Sequence, residues 1–437
     1  MKKRTINFEE LNANSAGIDI GSEKIFVSVD GESVVNFGTF SSDYERCGEY
    51  LQAHAIERVA MEATGVYWIS LYRSLEESGI RVSLVNPKQT LPKRGDKTDV
   101  KDARRIQKLF SAGLLKESFI PEGRLFEIRM LVRERLDIIE MGGVYVQKMQ
   151  RSLELMNIKL TEVLSQIHGA SGLRMIRAII EGERSPQVLL SLCDERIRTK
   201  KSELVLKALE GSYQDTYIFM LQQNMELWEK HQQQIQQIDA RISTLLLDLT
   251  QHKEEPQNPG KEKPIRHHKP TIDHLQVIMH KLFGVNMSSI SGINNYTLLR
   301  LVGETGTDMS RFPTAKQFVS WCGLAPANHQ SGKRSKWIKS APCNKAGQTF
   351  KEVAQALDAS KDKAIGCFIR KIKSRRGPAV AYKAGARKIA EAFYYTLLKG
   401  VEYIEQGVGK YKEKLEANEL KIIRKLAQKH NFQLVEN

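Results

Sequence analysis

The sequence predicts an α/β domain followed by a longer all-α region, and three observations carry that expectation. Up to about residue 120, short apolar runs bounded by turn residues alternate with helical periodicities. From there to about residue 249 glycines thin out, prolines nearly vanish, and apolar residues recur at spacings of three, four and seven. The net charge of +16 is concentrated: between His329 and Lys388, 16 Lys and Arg face only Glu352, Asp358 and Asp362. A chain of 437 residues is expected to hold two or three domains.

The first region, 1–120, places strands at 17–20, 25–30, 33–40, 58–63 and 81–86. Helices follow at about 44–55 and 66–78, with a third starting at Asp99. Three strands close together, then helix, strand, helix, strand, helix, is the order of an RNase H-like α/β domain. Mixed sheets of this kind bind ligands at strand ends.

The region 121–249 reads as long helices. Over 225–249, Leu227, Ile235, Ile238, Ile242, Leu245 and Leu249 form one stripe among Gln, Lys and Glu. That is the seam of a helical hairpin inside the chain or of a coiled coil between chains. Residues 250–271 hold four prolines and almost nothing apolar, the composition of a linker or exposed loop. His267 and His268 there lack further ligands at metal spacing. Residues 272–410 form a second, helix-rich globular region containing a basic loop over 328–345, and 411–437 a charged helical tail.

No apolar run approaches the roughly 18 residues of a membrane span, and the basic start lacks the apolar stretch of a signal peptide. The five cysteines are far apart with no CxxC, which argues against a zinc or disulfide framework and for a reducing cytoplasm.

Four acids stand out. Asp19 sits inside an apolar run, and Glu62 ends another. A lone carboxylate in an apolar strand costs several kcal/mol unless it is paired or metal-bound. Asp99 and Asp102, three apart, share one face at a helix start. The set suits Mg2+ or Mn2+, since paired metals about 3.5–4 Å apart can activate an attacking oxygen and stabilise the leaving one. Taken singly, Asp99 or Asp102 needs no more explanation than the helix dipole.

The basic block points to a polyanion, and an acidic site in the same chain to a phosphodiester. Lys333, Arg334, Lys336 and Lys339 read as phosphate contacts, as do the cluster Arg370, Lys371, Lys373, Arg375 and Arg376 and, nearer the acids, Lys93 and Arg94. Among these cations lie Ser331, Ser335 and Ser340. A serine hydroxyl needs a base, a metal or cationic surroundings to act as a nucleophile, and chemistry alone does not rank the three. His329 reads as a proton carrier, a phosphate contact or a packing group, and Trp337 as a base-stacking platform or a core anchor.

The order Gly-Ile-Asp19, Glu62-Ala-Thr-Gly, Asn86-Pro-Lys and Lys97-Thr-Asp-Val-Lys-Asp102-Ala resembles the N-terminal half of DEDD-type insertion-sequence transposases of the insertion sequence 110 kind. The stretch from Ser310-Arg-Phe-Pro to Cys322-Gly-Leu-Ala-Pro326, followed by His329-Gln-Ser-Gly-Lys333, is similar to that family's C-terminal domain. The resemblance covers roughly 16–120 and 286–400. It implies a RuvC-like N-terminal domain whose four acids hold divalent metal. It also implies a C-terminal transposase domain with Ser331 as the nucleophile, forming a 5′-phosphoserine link to DNA. A bridge or seeker RNA would pair with donor and target DNA. Each active site would be composite, so the protein would be a dimer or tetramer.

Two departures from the family pattern are visible. The Pro-Gly-Ile-Gly turn is replaced by Ser291-Gly-Ile-Asn-Asn295, and the run after Ser331 lacks the usual second glycine. The first strand also resembles that of sugar kinases and actin-like ATPases, but the Asp99–Asp102 helix and the basic second half argue against a kinase. A plain hydrolytic nuclease of the junction-resolvase type, needing only the acids, and a nucleic-acid-binding assembly factor with a decayed site are the alternatives. Target and donor sequences, and the choice between Mg2+ and Mn2+, are not written in the chain.

Overall fold

The computed structural model describes residues 11–63, 65–90, 98–326, 328–331, 334–337, 342–404 and 407–433. Contacts divide the chain into two units, 1–120 and 121–437.

The first unit is built on five strands: β1 (Ser15–Ile20), β2 (Ile25–Ser28), β3 (Val35–Phe37), β4 (Arg58–Glu62) and β5 (Arg81–Val85). Their order is β3-β2-β1-β4-β5. β1–β2 and β2–β3 are antiparallel, whereas β1–β4 and β4–β5 are parallel. With the helices α1 (Ser41–Ala53), α2 (Trp68–Glu77) and α3 (Asp99–Ser111), this is the RNase H-like order. Strand alternation sorts the side chains. Ala16, Ile18, Ile20, Val59, Met61 and Leu84 pack into one core with Leu51 of α1 and Leu71 of α2. Ala60 and Val85 face the other way, onto Ile106 and Phe110 of α3. The parity that turns Ile18 and Met61 into the first core turns Asp19 and Glu62 toward α3.

Gly17 explains how close α3 comes. A Cβ there would stand 2.2 Å from the Gln107 amide nitrogen and 2.6 Å from the Ala103 carbonyl oxygen. Only glycine lets backbone meet backbone at this distance, and it brings the first turn of α3 beside the end of β1.

The second unit is helical. α4 (Arg124–Leu155) and α10 (Asp215–Thr250) are its long members, 32 and 36 residues. They pack together in antiparallel register: Arg124 pairs with Asp248 at 3.2 Å and Arg135 with Asp239 at 2.6 Å. The stripe read over 225–249 therefore closes a hairpin within one chain. Ile235, Ile242 and Leu245 are buried in it, while Leu227 is exposed. Between the long helices lie α5 (Leu160–Val163), α6 (Ala170–Ile180), α7 (Pro186–Ser191), α8 (Glu195–Lys200) and α9 (Ser202–Ala208). They share a core of residues such as Met156, Ile176, Leu189 and Val205 with the hairpin end, at Met149 and Leu221.

Residues 251–274 contain neither helix nor strand, yet they are tied down. Lys263 Nζ donates to the Ile290 and Ile293 carbonyls at 2.9 and 3.1 Å, and Gln276 Nε2 donates to the Pro259 carbonyl at 2.6 Å. Then come α11 (Leu275–Phe283), α12 (Asn295–Thr305), α13 (Ala315–Trp321), β6 (Asn328–Ser331), β7 (Arg334–Trp337), α14 (Lys345–Asp358), α15 (Ala364–Arg376), α16 (Pro378–Lys399) and α17 (Gly407–His430). Phe318, Phe350 and Phe393 meet between α13, α14 and α16 with centroid separations of 5.5–6.2 Å, Phe318 stacked on Phe393 and Phe350 edge-on to both. The turn that departs from the family pattern ends in a cap: Asn294 Oδ1 accepts from the Thr297 amide at 2.9 Å. Among the described residues, no helix is long and apolar enough to cross a membrane.

Candidate active site

Asp19 is the penultimate residue of β1, and Glu62 the last of β4. Asp99 and Asp102 are the first and fourth residues of α3, whose N-cap Thr98 accepts from the Lys101 amide. Asp99 is exposed and Asp102 buried. The four meet electrostatically at Asp19. Burial first, then the charges of Glu62, Asp102 and Asp99 in that order, push its carboxyl from the ordinary 3.8 up to about 6. A backbone hydrogen bond at Ile20 acts in the opposite direction.

Two of the acids are held by partners that the sequence reading missed. Thr90, just after the short 3-10 turn Pro87–Gln89, donates its hydroxyl to Glu62 Oε1. Arg105, one turn along α3, donates to Asp102 Oδ1 at 2.5 Å and to the Thr90 carbonyl at 3.2 Å. The i, i+3 spacing of Asp102 and Arg105 was a readable signal, whereas nothing in the sequence marked Thr90.

The donor set is chemically right for a hard divalent cation, since it is all carboxylate oxygen. Among the described residues, however, no three His, Cys, Asp or Glu side chains are grouped closely enough to hold a metal ion. The proximity that raises Asp19 and this wider spacing are compatible: Coulomb effects reach further than a coordination bond of about 2.1 Å. Drawing the carboxylates onto one ion takes side-chain movement at the ends of β1, β4 and α3.

Ser331 closes β6, opposite Arg334 of β7, with His329 opposite Lys336, Gln330 opposite Ser335 and Asn328 opposite Trp337. The stretch read as a basic loop over 328–345 thus contains a two-stranded hairpin. Lys93, Arg94, Lys333, Lys339 and Ser340 lie outside the described residues. The hairpin springs from a pinched base. A Cβ on Gly347 would stand 1.9 Å from the Cys322 carbonyl oxygen, and Asn344 Nδ2 donates to the Trp321 carbonyl at 3.1 Å.

The cluster on α15 is heterogeneous. Arg370 donates to the Asp358 and Ser360 carbonyls at 2.6 and 2.7 Å, closing the end of α14. Lys373 pairs with Asp358 at 2.5 Å and Lys371 with Glu419 at 3.0 Å. Arg375 and Arg376 are exposed in the last turn. A cavity of about 500 Å3 opens elsewhere, among Val163, Gly169, Asp194 and Lys200, and contains none of the four acids.

Two family models match the chain. One, a DEDD transposase model of the IS110 type, covers residues 16–158; the other, described as transposase IS116/IS110/IS902 family, covers 285–361. Together they span 220 of the 437 residues. The first contains all four acids and the second Ser331. No curated protein matches the chain significantly.

Proposed function

The chain belongs to the IS116/IS110/IS902 family of transposases, and from that premise we propose that it is an RNA-guided, metal-assisted recombinase working through a phosphoserine intermediate. The family makes DNA its partner and strand cleavage and rejoining its activity. What supports the metal part of this reading is the placement of half-buried Asp19 near the end of β1, Glu62 at the end of β4 and Asp99 and Asp102 at the start of α3, so that the charges of Glu62, Asp102 and Asp99 act on Asp19. Clustered carboxylates of this kind are stabilised by a cation. A bound Mg2+ or Mn2+, held by Asp19, Glu62, Asp99 and Asp102, would stabilise charge developing at the scissile phosphate.

In this reading Ser331 Oγ attacks phosphorus as its proton passes to a base or solvent. The bond to the 3′ oxygen breaks, that oxygen takes up a proton, and the 5′ phosphate stays joined to the serine. Attack by the 3′-hydroxyl of another strand reverses the step and rejoins DNA, so no bond energy is lost to hydrolysis. Arg334 and Lys336, in the strand opposite Ser331 and His329, would contact the phosphates around the nucleophile together with Lys333 and Lys339, as would Lys93 and Arg94, which precede Asp99 in the sequence. The bridge or seeker RNA would pair with donor and target in the cytoplasm. A dimer or tetramer would bring the acids of one subunit to the serine of another.

The test is covalent capture on a denaturing gel, with Mg2+, element-end RNA and end-labelled donor DNA. Label should migrate with wild-type protein and with neither Ser331→Ala nor Asp19→Ala. Free cleaved DNA from both wild type and Ser331→Ala, with no adduct, would instead make the protein a hydrolytic nuclease.

A further inference from the structure

We propose that Thr90 and Arg105 form one clamp that positions the carboxylates of Glu62 and Asp102 for a divalent cation; this rests on the reading of the four acids as cation ligands. The clamp is a continuous chain of bonds. Thr90 Oγ1 donates to Glu62 Oε1, the Thr90 carbonyl accepts from Arg105 at 3.2 Å, and Arg105 donates to Asp102 Oδ1 at 2.5 Å. It links the end of β4 to the first turns of α3 through the segment after β5, so two acids from separate elements are set by one device.

Burial gives the clamp its grip. Thr90 is 2% exposed, and the Arg105 and Asp102 side chains are 20% and 10% exposed. Water cannot readily replace these bonds, so breaking one leaves a buried group unsatisfied. The Thr90 hydroxyl has a single proton and two acceptors in reach, Glu62 Oε1 and the Pro87 carbonyl. The charged acceptor makes the stronger bond. Each link engages one oxygen of its carboxylate and so fixes the direction of the other. Partners of this kind orient ligands and tune metal affinity without touching the metal.

Arg105 also gives the proposal a sign. As a cation beside four acids it opposes a second cation by Coulomb repulsion, so its removal should tighten metal binding if charge alone matters. If orientation dominates, its removal should loosen binding although a repelling charge has gone. The geometry points to orientation, because Arg105 reaches both Asp102 and the segment that holds Glu62.

The experiment is Mn2+ titration by calorimetry on the full-length protein, with melting of the metal-free protein alongside. Arg105→Ala and Thr90→Val should each weaken Mn2+ binding about ten-fold or more. Thr90→Ser should restore it, and Arg105→Lys should recover only part. Unchanged or tighter binding by Arg105→Ala, at wild-type melting temperature, would overturn the clamp. Should Arg105→Ala melt early, the Thr90→Val and Thr90→Ser pair decides, and equal affinities there overturn it as well. A wild type that binds no Mn2+, or an Asp19→Asn protein that binds it as well as wild type, would overturn the four-acid reading itself and the clamp with it.

Discussion

Two aspartates drawn out of water, half-buried Asp19 in the first unit and fully buried Asp239 in the second, meet the same physical problem in opposite ways. Asp239 is fully buried and fully answered. Arg135 meets it with two bonds at 2.6 and 3.2 Å, and the Thr271 amide adds a third at 2.9 Å. Arg135 is satisfied in turn by Tyr296 Oη at 3.2 Å and the His268 carbonyl at 3.0 Å. Asp19 has no such answer among the interactions described: partial burial first, and then the charges of Glu62, Asp102 and Asp99, push its carboxyl up. A balanced buried charge ties helices together, whereas a half-buried carboxyl set among other acids is a standing cost that folding alone does not explain.

The contrast can be broken most sharply by exchanging the two residues in turn. Asp19→Asn should lower single-turnover DNA cleavage by about 1,000-fold, the upper end for loss of one preorganised electrostatic group. The same change should leave the metal-free protein at least as stable at pH 7.5, because it removes a strained charge. At the other site the sign reverses. Asp239→Ala should cost about 3–5 kcal/mol in urea unfolding, since it strands the buried Arg135 guanidinium. An Asp239→Ala protein with wild-type stability would end the comparison.

Titration sharpens it next. The Asp19 carboxyl is raised from 3.8 to about 6, so its contribution to stability is full below about pH 4 and is lost as pH rises through about 6. Melting of the metal-free protein should therefore carry a component that falls between these limits and disappears in Asp19→Asn. The smallest effect concerns α15. Arg375→Ala should reduce the slope of log affinity for DNA against log salt by about 1, as one phosphate contact is lost, without altering the melting temperature. Arg370→Ala should lower that temperature, since Arg370 holds the carbonyls that end α14.

Much of the first unit was legible because period-two alternation is local. The pattern Gly17-Ile-Asp-Ile20 fixes both which face Asp19 takes and how near α3 can come. The edge strand β3 is shorter than expected, three residues where 33–40 was read, since it pairs on one side only. In α10 the apolar stripe was visible over 225–249, but the helix begins at Asp215. Its first turns bury Ile218 and Leu221 against the short helices instead, which blurs a single-stripe pattern. Asp239 could not be recognised as buried, because its partner lies 104 residues away. The hairpin carrying Ser331 was hidden for another reason: Asn328-His-Gln-Ser331 and Arg334-Ser-Lys-Trp337 lack the apolar alternation that marks a strand.

The pinched base of that hairpin has a consequence for how the protein can change. Because Gly347 meets the Cys322 carbonyl and Asn344 ties back to Trp321, the chain leaves and re-enters the helical body at nearly one point. The entropy of closing that excursion is met by the base, and it grows only slowly with the length of what lies between. The packing of α13, α14 and α16 is thus closed off from the arm bearing Ser331 at its base, and a change of length in that arm should leave it in place.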